Sequence, residues 1–193
     1  MYNKGSHYIS PRFKKDDYIK LQLSVNSPQK TWEKAIEIFE DRIENRFFKQ
    51  IGTLLSNIND NGFTIMAINC LLIETLYQFR NGIDETKNNK ESYSSFLVNN
   101  FSNDFIDKDV ARKFYERIRC GILHSAQTKT NSCLSTELGI PITYQDDYLI
   151  VAVKPFFDSL LIYYNNYKND LRKMENADLR QKFINKMRLI CDK

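Results

Sequence analysis

The chain has 193 residues, 42% of them hydrophobic and 27% charged, with a formal net charge of +4. That length fits one domain with a sizeable core, and the composition is that of an ordinary soluble globular protein rather than a disordered or fibrous one. The mild positive charge permits a polyanionic partner without requiring one. Cys70, Cys120, Cys133 and Cys191 are widely spaced and form no C-x-x-C pair, which reads as reduced thiols and no zinc site. The start, Met1-Tyr2-Asn3-Lys4-Gly5, has no apolar signal core. The longest apolar run, 65–76, is interrupted by Asn69 and Glu74 and is too short for a bilayer. The expectation is a cytoplasmic protein with no membrane segment.

Residues 1–16 are polar and basic, contain Pro11 and lack periodicity, so they read as a loosely attached arm with His7 exposed. Residues 18–25 alternate apolar and polar, the period of a half-buried strand. Ser27-Pro28 supplies an N-cap followed by proline at the first helical position. The helix it opens carries Trp32, Ala35, Ile36, Phe39, Ile43, Phe47, Ile51, Leu54 and Leu55 at steps of three and four. Those steps mark one buried stripe, and Asn59-Asp60-Asn61-Gly62 should end the helix. Residues 63–79 predict a second helix, apolar nearly all round, with Gly82 as its C-terminal cap. Such a helix belongs at the centre of a bundle. Glu74 on it is either an edge position open to water or the acceptor for an active-site arginine.

Residues 83–90 read as a polar loop, 90–101 as a short helix and Ser102-Asn103-Asp104 as a break. A further helix starts near Asp107 and carries Val110, Phe114, Ile118 and Ile122 at four-residue steps. It should end around Gln127-Thr128, because 129–138 is polar and unpatterned. The stretches 140–144 and 148–153 flank Gln145-Asp146-Asp147 and predict a hairpin, with 18–25 as a third strand. Lys154-Pro155 begins another helix, and a last one holds Leu179, Phe183, Met187 and Ile190. From 168 to 193 eight basic residues stand against four acidic ones, an excess of 4 that equals the whole chain's. They read as a solvated helix face or as a surface that attracts RNA. The whole, 1–193, reads as one mainly α domain. Its helices fall within 28–128 and 155–192, with a small antiparallel sheet from 18–25 and 140–153.

The chemistry concentrates in 114–126. His124 is one of two histidines in the chain, and Arg119 lies five residues before it; Arg117 also satisfies a looser spacing. An imidazole moves protons near neutral pH and a guanidinium holds a phosphate. On a helix, positions 119 and 124 are about 7.5 Å apart along the axis and about 140° apart around it. They share no face, so one copy makes a poor site. Gly121 between them costs about 1 kcal/mol in helix propensity, which points to close approach of another helix. A two-fold axis there would place two histidines and two arginines in one cleft. Such a cleft suits metal-independent RNA cleavage, with one histidine as base, one as acid, and arginine on the phosphoryl oxygens.

Arg119-Cys120-Gly121-Ile122-Leu123-His124 resembles the R-x4-6-H motif of the HEPN superfamily, and the apolar helix 62–76 resembles HEPN proteins of bacterial defence. The resemblance covers roughly 30–128. It implies a HEPN-like helical bundle, a homodimer, and a ribonuclease with Arg119 and His124 catalytic and no metal or cofactor. RNA would be the substrate, and an antitoxin or defence-system protein a further partner. Two positions depart from the pattern. Cys120 stands where catalytic members often carry Asn, Asp or His, and Ala126 stands where some carry a tyrosine that a partner adenylylates. Glu74, Arg117, Cys120 and Gly121 are supporting residues in this reading, and Gln127, Thr128 and Lys129 are candidate RNA contacts. The alternative is a non-catalytic module that binds RNA, nucleotides or a protein, with Arg119 an interhelical ion-pair partner.

Overall fold

The computed structural model describes residues 7–101, 104, 105 and 107–192. The expected break at 102–104 thus lies mostly outside the described residues. The fold is mainly α with a small three-stranded sheet, as the sequence predicts. It divides into two compact units. One draws on the stretches up to residue 52, 78–85 and from 166 onward; the other draws on 53–77 and 86–165.

The first unit begins with residues held more firmly than an arm. Ile9 and Ser10 are buried, and the Ser10 hydroxyl and Arg12 amide donate to Asp41 Oδ2 at 2.6 and 2.8 Å. Arg12 Nε donates to Asp41 Oδ1 at 2.6 Å, and Arg42 reaches the Ile9 carbonyl. The loose-arm expectation is therefore corrected from residue 7 onward: a buried carboxylate needs donors, and this segment supplies them.

The strand expected at 18–25 is also corrected. Lys15–Ile19 is a short helix, α1, because Asp17 accepts the Lys14 amide at 2.8 Å and two aspartates favour a helix N-terminus. A tight turn follows, with Gln22 left-handed at φ 46°. Tyr18 and Leu23, five residues apart, are the buried positions, so the period of two is not used.

Helix α2, Gln29–Ile43, starts at Pro28 and passes into a π-helical turn, Glu44–Phe48, and then α3, Lys49–Leu54. A 3-10 turn, Leu55–Asn57, leads to α4, Ile58–Asn81. Helical structure is unbroken from Gln29 to Asn81, and the run is long and apolar enough, by length and composition alone, to cross a membrane, with half of its most apolar stretch buried. The run is not straight. Phe39 and Phe79 have ring centroids 4.7 Å apart, whereas forty residues of straight helix would separate them by about 60 Å. Asn61 Nδ2 reaches back seven residues to the Leu54 carbonyl at 3.3 Å, so the chain doubles over there. The helix break predicted at 59–62 is thus displaced, and Asn59 to Gly62 form the first turn of α4. Gly82 caps it at φ 66°, as expected.

Phe39, Phe79, Trp32 and Phe183 form the aromatic core of this unit. Phe183 comes from α9, Ala177–Cys191, which follows α8, Val153–Arg172. The basic C-terminal stretch is divided between buried and exposed positions, with Lys173 and Arg188 exposed. Lys168, Arg180 and Lys186 are buried. Lys168 pairs with Glu40 and Glu44, and Arg172 with Glu33. Arg180 donates to the carbonyls of Leu171, Arg172 and Val25. Two of those carbonyls end α8, where a cation offsets the negative end of the helix dipole.

The second unit contains α4 up to Tyr77, then α5, Asn89–Asn100, and α6, Lys108–Lys113. Asp107 caps α6 by accepting the Val110 amide at 2.9 Å. A π-helical turn, Phe114–Arg119, continues into α7, Cys120–Ser125. The sheet has strands β1, Ser132–Ser135; β2, Ile142–Gln145; and β3, Tyr148–Ala152, in the order β1-β3-β2. The expected β2–β3 hairpin turns at Asp146 and Asp147, both with positive φ, the turn geometry that matches strand twist. Its third strand is β1, parallel to β3, from a stretch read as unpatterned. Phe114 stacks on Phe156 of α8 at 5.0 Å and meets Phe105 edge-on at 5.4 Å.

Candidate functional site

The site is built on the run from α6 to α7. A π-helical turn inserts extra backbone per turn and re-aims the side chains it carries, and this one carries both arginines. Arg117 turns to the hairpin. Its Nη2 donates to both carboxylate oxygens of Asp147 at 2.9 and 3.0 Å, and its Nη1 to the Asp147 carbonyl at 2.7 Å. Arg117, with Asn131 and Tyr144, holds the Asp147 carboxyl down to about 2. Arg117 therefore fixes the β2–β3 turn. Asp147 is the partner that the sequence did not single out.

Arg119 turns to α4. Its Nη2 donates to Glu74 Oε2 at 2.8 Å, and its guanidinium lies 5.4 Å from the Tyr115 ring centroid. Burial works against the Arg119 charge, and the Glu74 hydrogen bond and field outweigh it, so its pKa is raised. Nε of Arg119 is buried and has no hydrogen-bond partner among the described residues. Glu74 is both partly exposed and paired with Arg119. Cys120 lies by Tyr115, whose pKa burial and that thiol raise. Burial pushes the Cys70 thiol, also within reach of the Arg119 charge, up to about 12.

His124 is exposed in the last turn of α7. Ala126 is left-handed at φ 52° and the chain folds back at once. The Gln127 amide donates to the Gly121 carbonyl at 3.4 Å and the Lys129 amide to the Arg117 carbonyl at 2.9 Å. The Thr128 hydroxyl donates to the Ser132 carbonyl at 2.9 Å. Of the three candidate RNA contacts, the Gln127 and Lys129 side chains are exposed and the Thr128 hydroxyl is occupied.

This loop explains Gly121. A Cβ there would lie 2.5 Å from the Gln127 carbonyl oxygen, 3.1 Å from the Lys129 nitrogen and 3.2 Å from the Thr128 Cα. Close approach of another helix is the wrong reason for this glycine. It admits the chain's own returning loop and argues nothing about a second copy.

Exposed apolar side chains occur on both helices that carry the Arg119–Glu74 pair, with Leu71 one turn from Glu74 and Phe63 three turns from it. On α4, Phe63, Ala67, Leu71 and Glu74 fall on one face, with Phe63 40% and Leu71 44% exposed. Leu123, one turn beyond Arg119, is 42% exposed. Among the described residues no group of three or more His, Cys, Asp or Glu converges as a metal site would require. No protein-family model, curated protein or solved structure matches this chain.

Proposed function

We propose that the chain is a metal-independent endoribonuclease that works as a homodimer, each copy contributing Arg119 and His124 to one cleft. The observation that carries this reading is the division of the pair within one copy. Arg119 is fixed by Glu74 inside the fold, while His124 is exposed at the helix end beside Leu123. A second copy docked on the Phe63, Leu71 and Leu123 side chains would cover apolar surface and bring a second histidine to the site.

One imidazole then takes the proton of the ribose 2′-hydroxyl as its oxygen bonds to phosphorus. The other, as imidazolium, protonates the 5′-oxygen as the P–O5′ bond breaks. Arg119, held by Glu74, stabilises charge on the phosphoryl oxygens. The products are a 2′,3′-cyclic phosphate and a 5′-hydroxyl. The HEPN resemblance of 119–124 makes a cytoplasmic toxin or antiphage effector the setting we favour. The second reading, a non-catalytic RNA- or nucleotide-binding module, draws on the neutralising effect of Glu74 on Arg119.

The test is cleavage of tRNA and total RNA by the purified chain, with and without chelator, beside His124→Ala. His124 is exposed, so its loss leaves the fold intact. Cleavage that survives chelator, ends in a cyclic phosphate and vanishes with His124 is the expected result. RNA binding without turnover, or full turnover by His124→Ala, sinks the proposal.

A further inference from the structure

Among the described residues the His124 side chain makes no hydrogen bond, ion pair or ring contact, so its place is set by the backbone that carries it. That backbone leaves α7 through Ala126 at φ 52° and reaches β1 through Asn131 at φ 58°. The left-handed region is unfavourable for alanine, so a loop opened there needs outside ties to keep one shape.

Those ties converge on Arg117, seven positions before His124. The Arg117 carbonyl accepts the Lys129 amide at 2.9 Å, and Arg117 Nη1 donates to the Asn131 carbonyl at 3.3 Å. The Leu149 amide of β3 donates to that same carbonyl at 3.0 Å. Both halves of the loop therefore close on one residue. Arg117 is in turn held by Asp147 at the hairpin tip. The Asp147 carboxylate accepts two bonds from Arg117 Nη2, one from Asn131 Nδ2 at 3.1 Å and one from the Tyr144 hydroxyl at 2.9 Å. The donors stand on three segments: the π-helical turn, the end of the loop and β2. Asp147 is about half exposed, and an ion pair so exposed adds little stability by itself. What directed, charge-assisted bonds from three segments add is a fixed geometry.

We propose that Asp147 is a positioning residue for His124: through Arg117 and Asn131 it latches the loop 126–131, and with it the end of α7, to the hairpin. The chemical meaning of the latch rests on the function proposed above; its structural part does not. In a ribonuclease, a displaced His124 loses its alignment with the reacting oxygen, and a shift of about 1 Å can cost roughly 100-fold in rate. The Asp147 carboxylate repels phosphate, so its loss should act on turnover and not weaken RNA binding.

The test compares the full chain with two variants. Asp147→Asn keeps the shape and removes the charge. Asn131→Gly keeps the left-handed backbone and removes only the side-chain tie. The Lys129 and Leu149 amides should exchange about tenfold faster or more in Asp147→Asn, as a local opening allows, and by less in Asn131→Gly. Amides within α5 should not change. In RNA cleavage, kcat should fall about tenfold or more in Asp147→Asn, with KM no higher than in the unsubstituted chain. Unchanged protection of Lys129 and Leu149 overturns the latch, and so does an unchanged kcat or a loss carried by KM alone. Faster exchange throughout, α5 included, overturns it too, since Asp147 would then serve the whole fold. An unsubstituted chain that leaves RNA intact refutes the function proposed above, and the exchange readout alone then decides the latch.

Discussion

Two helical glycines make opposite predictions for one substitution. Alanine is favoured over glycine inside a helix by about 1 kcal/mol. At Gly52, in α3, a Cβ meets nothing within 4 Å, so Gly52→Ala should gain close to that full amount. At Gly121 the same Cβ would sit 2.5 Å from the Gln127 carbonyl oxygen, with two more backbone atoms of the loop at 3.1 and 3.2 Å. Backbone cannot rotate aside as a side-chain tip can. Overpacking of this kind costs about 1–3 kcal/mol. Moving the loop also strains the hydrogen bond from the Lys129 amide to the Arg117 carbonyl, worth about 0.5–1.5 kcal/mol. Set against the propensity gain, Gly121→Ala should lose about 1–3 kcal/mol.

For a chain of this size 1 kcal/mol moves Tm by about 2–4 °C, so the two variants should part in opposite directions in a thermal melt. Amide exchange should report where: residues 127–129 exchange faster in Gly121→Ala and unchanged in Gly52→Ala. A Gly121→Ala protein as stable as Gly52→Ala would refute the folded-back loop, and with it the setting given for His124.

Asn69 is fully buried on α4, and neither end of its amide has a hydrogen-bond partner among the described residues. Leucine has the same branching, so Asn69→Leu should stabilise by about 1–3 kcal/mol in denaturant unfolding, the cost of an unsatisfied buried amide; a lower midpoint would show the amide to be satisfied. Asp41 is the second case. Burial pushes its carboxyl up, but hydrogen bonds from Ser10, Arg12 and Asn45 override that and hold it at about 2 against an ordinary 3.8. A carboxyl lowered on folding contributes stability above its unfolded pKa and loses it as pH falls through the folded value. The contribution, about 2 kcal/mol, should fade between about pH 4 and pH 2, and Asp41→Asn should flatten that part of the stability curve. An unchanged acid limb in Asp41→Asn would refute the assignment.

What the sequence disclosed depended on whether a signal was local. The helix start near Asp107, the Gly82 cap and the turn at Asp146-Asp147 are local devices, and each appears where its residues predict. The alternation in 18–25 was misleading because two aspartates and a left-handed Gln22 made a short helix and turn. Strand β1 carried no alternation, since three of its residues are serine or cysteine and its pairing with β3 is remote in sequence. The same holds for charge. Lys168, Arg172 and Arg180 count as basic surface in any sum over the sequence, but their partners lie far away in the chain. At the candidate site, residue identities gave the possibility of Glu74 meeting Arg119. They could not show that Gly121 serves the loop 127–129, because the turn at Ala126 uses a residue with no preference for positive φ.

The segmented build of the first unit has a consequence for synthesis. Trp32 and Phe39 are packed against Phe183, and the Val25 carbonyl is satisfied by Arg180. A ribosome adding roughly 5–20 residues per second needs roughly 8–30 s to pass from residue 32 to residue 183. Until the end of that interval α2 lacks Phe183, although Phe79 and Tyr167, which also meet Phe39, have been made, and by its end all of the second unit, 53–77 and 86–165, has been translated. The stripe of α2 is thus completed only when α9 arrives, and its apolar face is what a chaperone would find waiting.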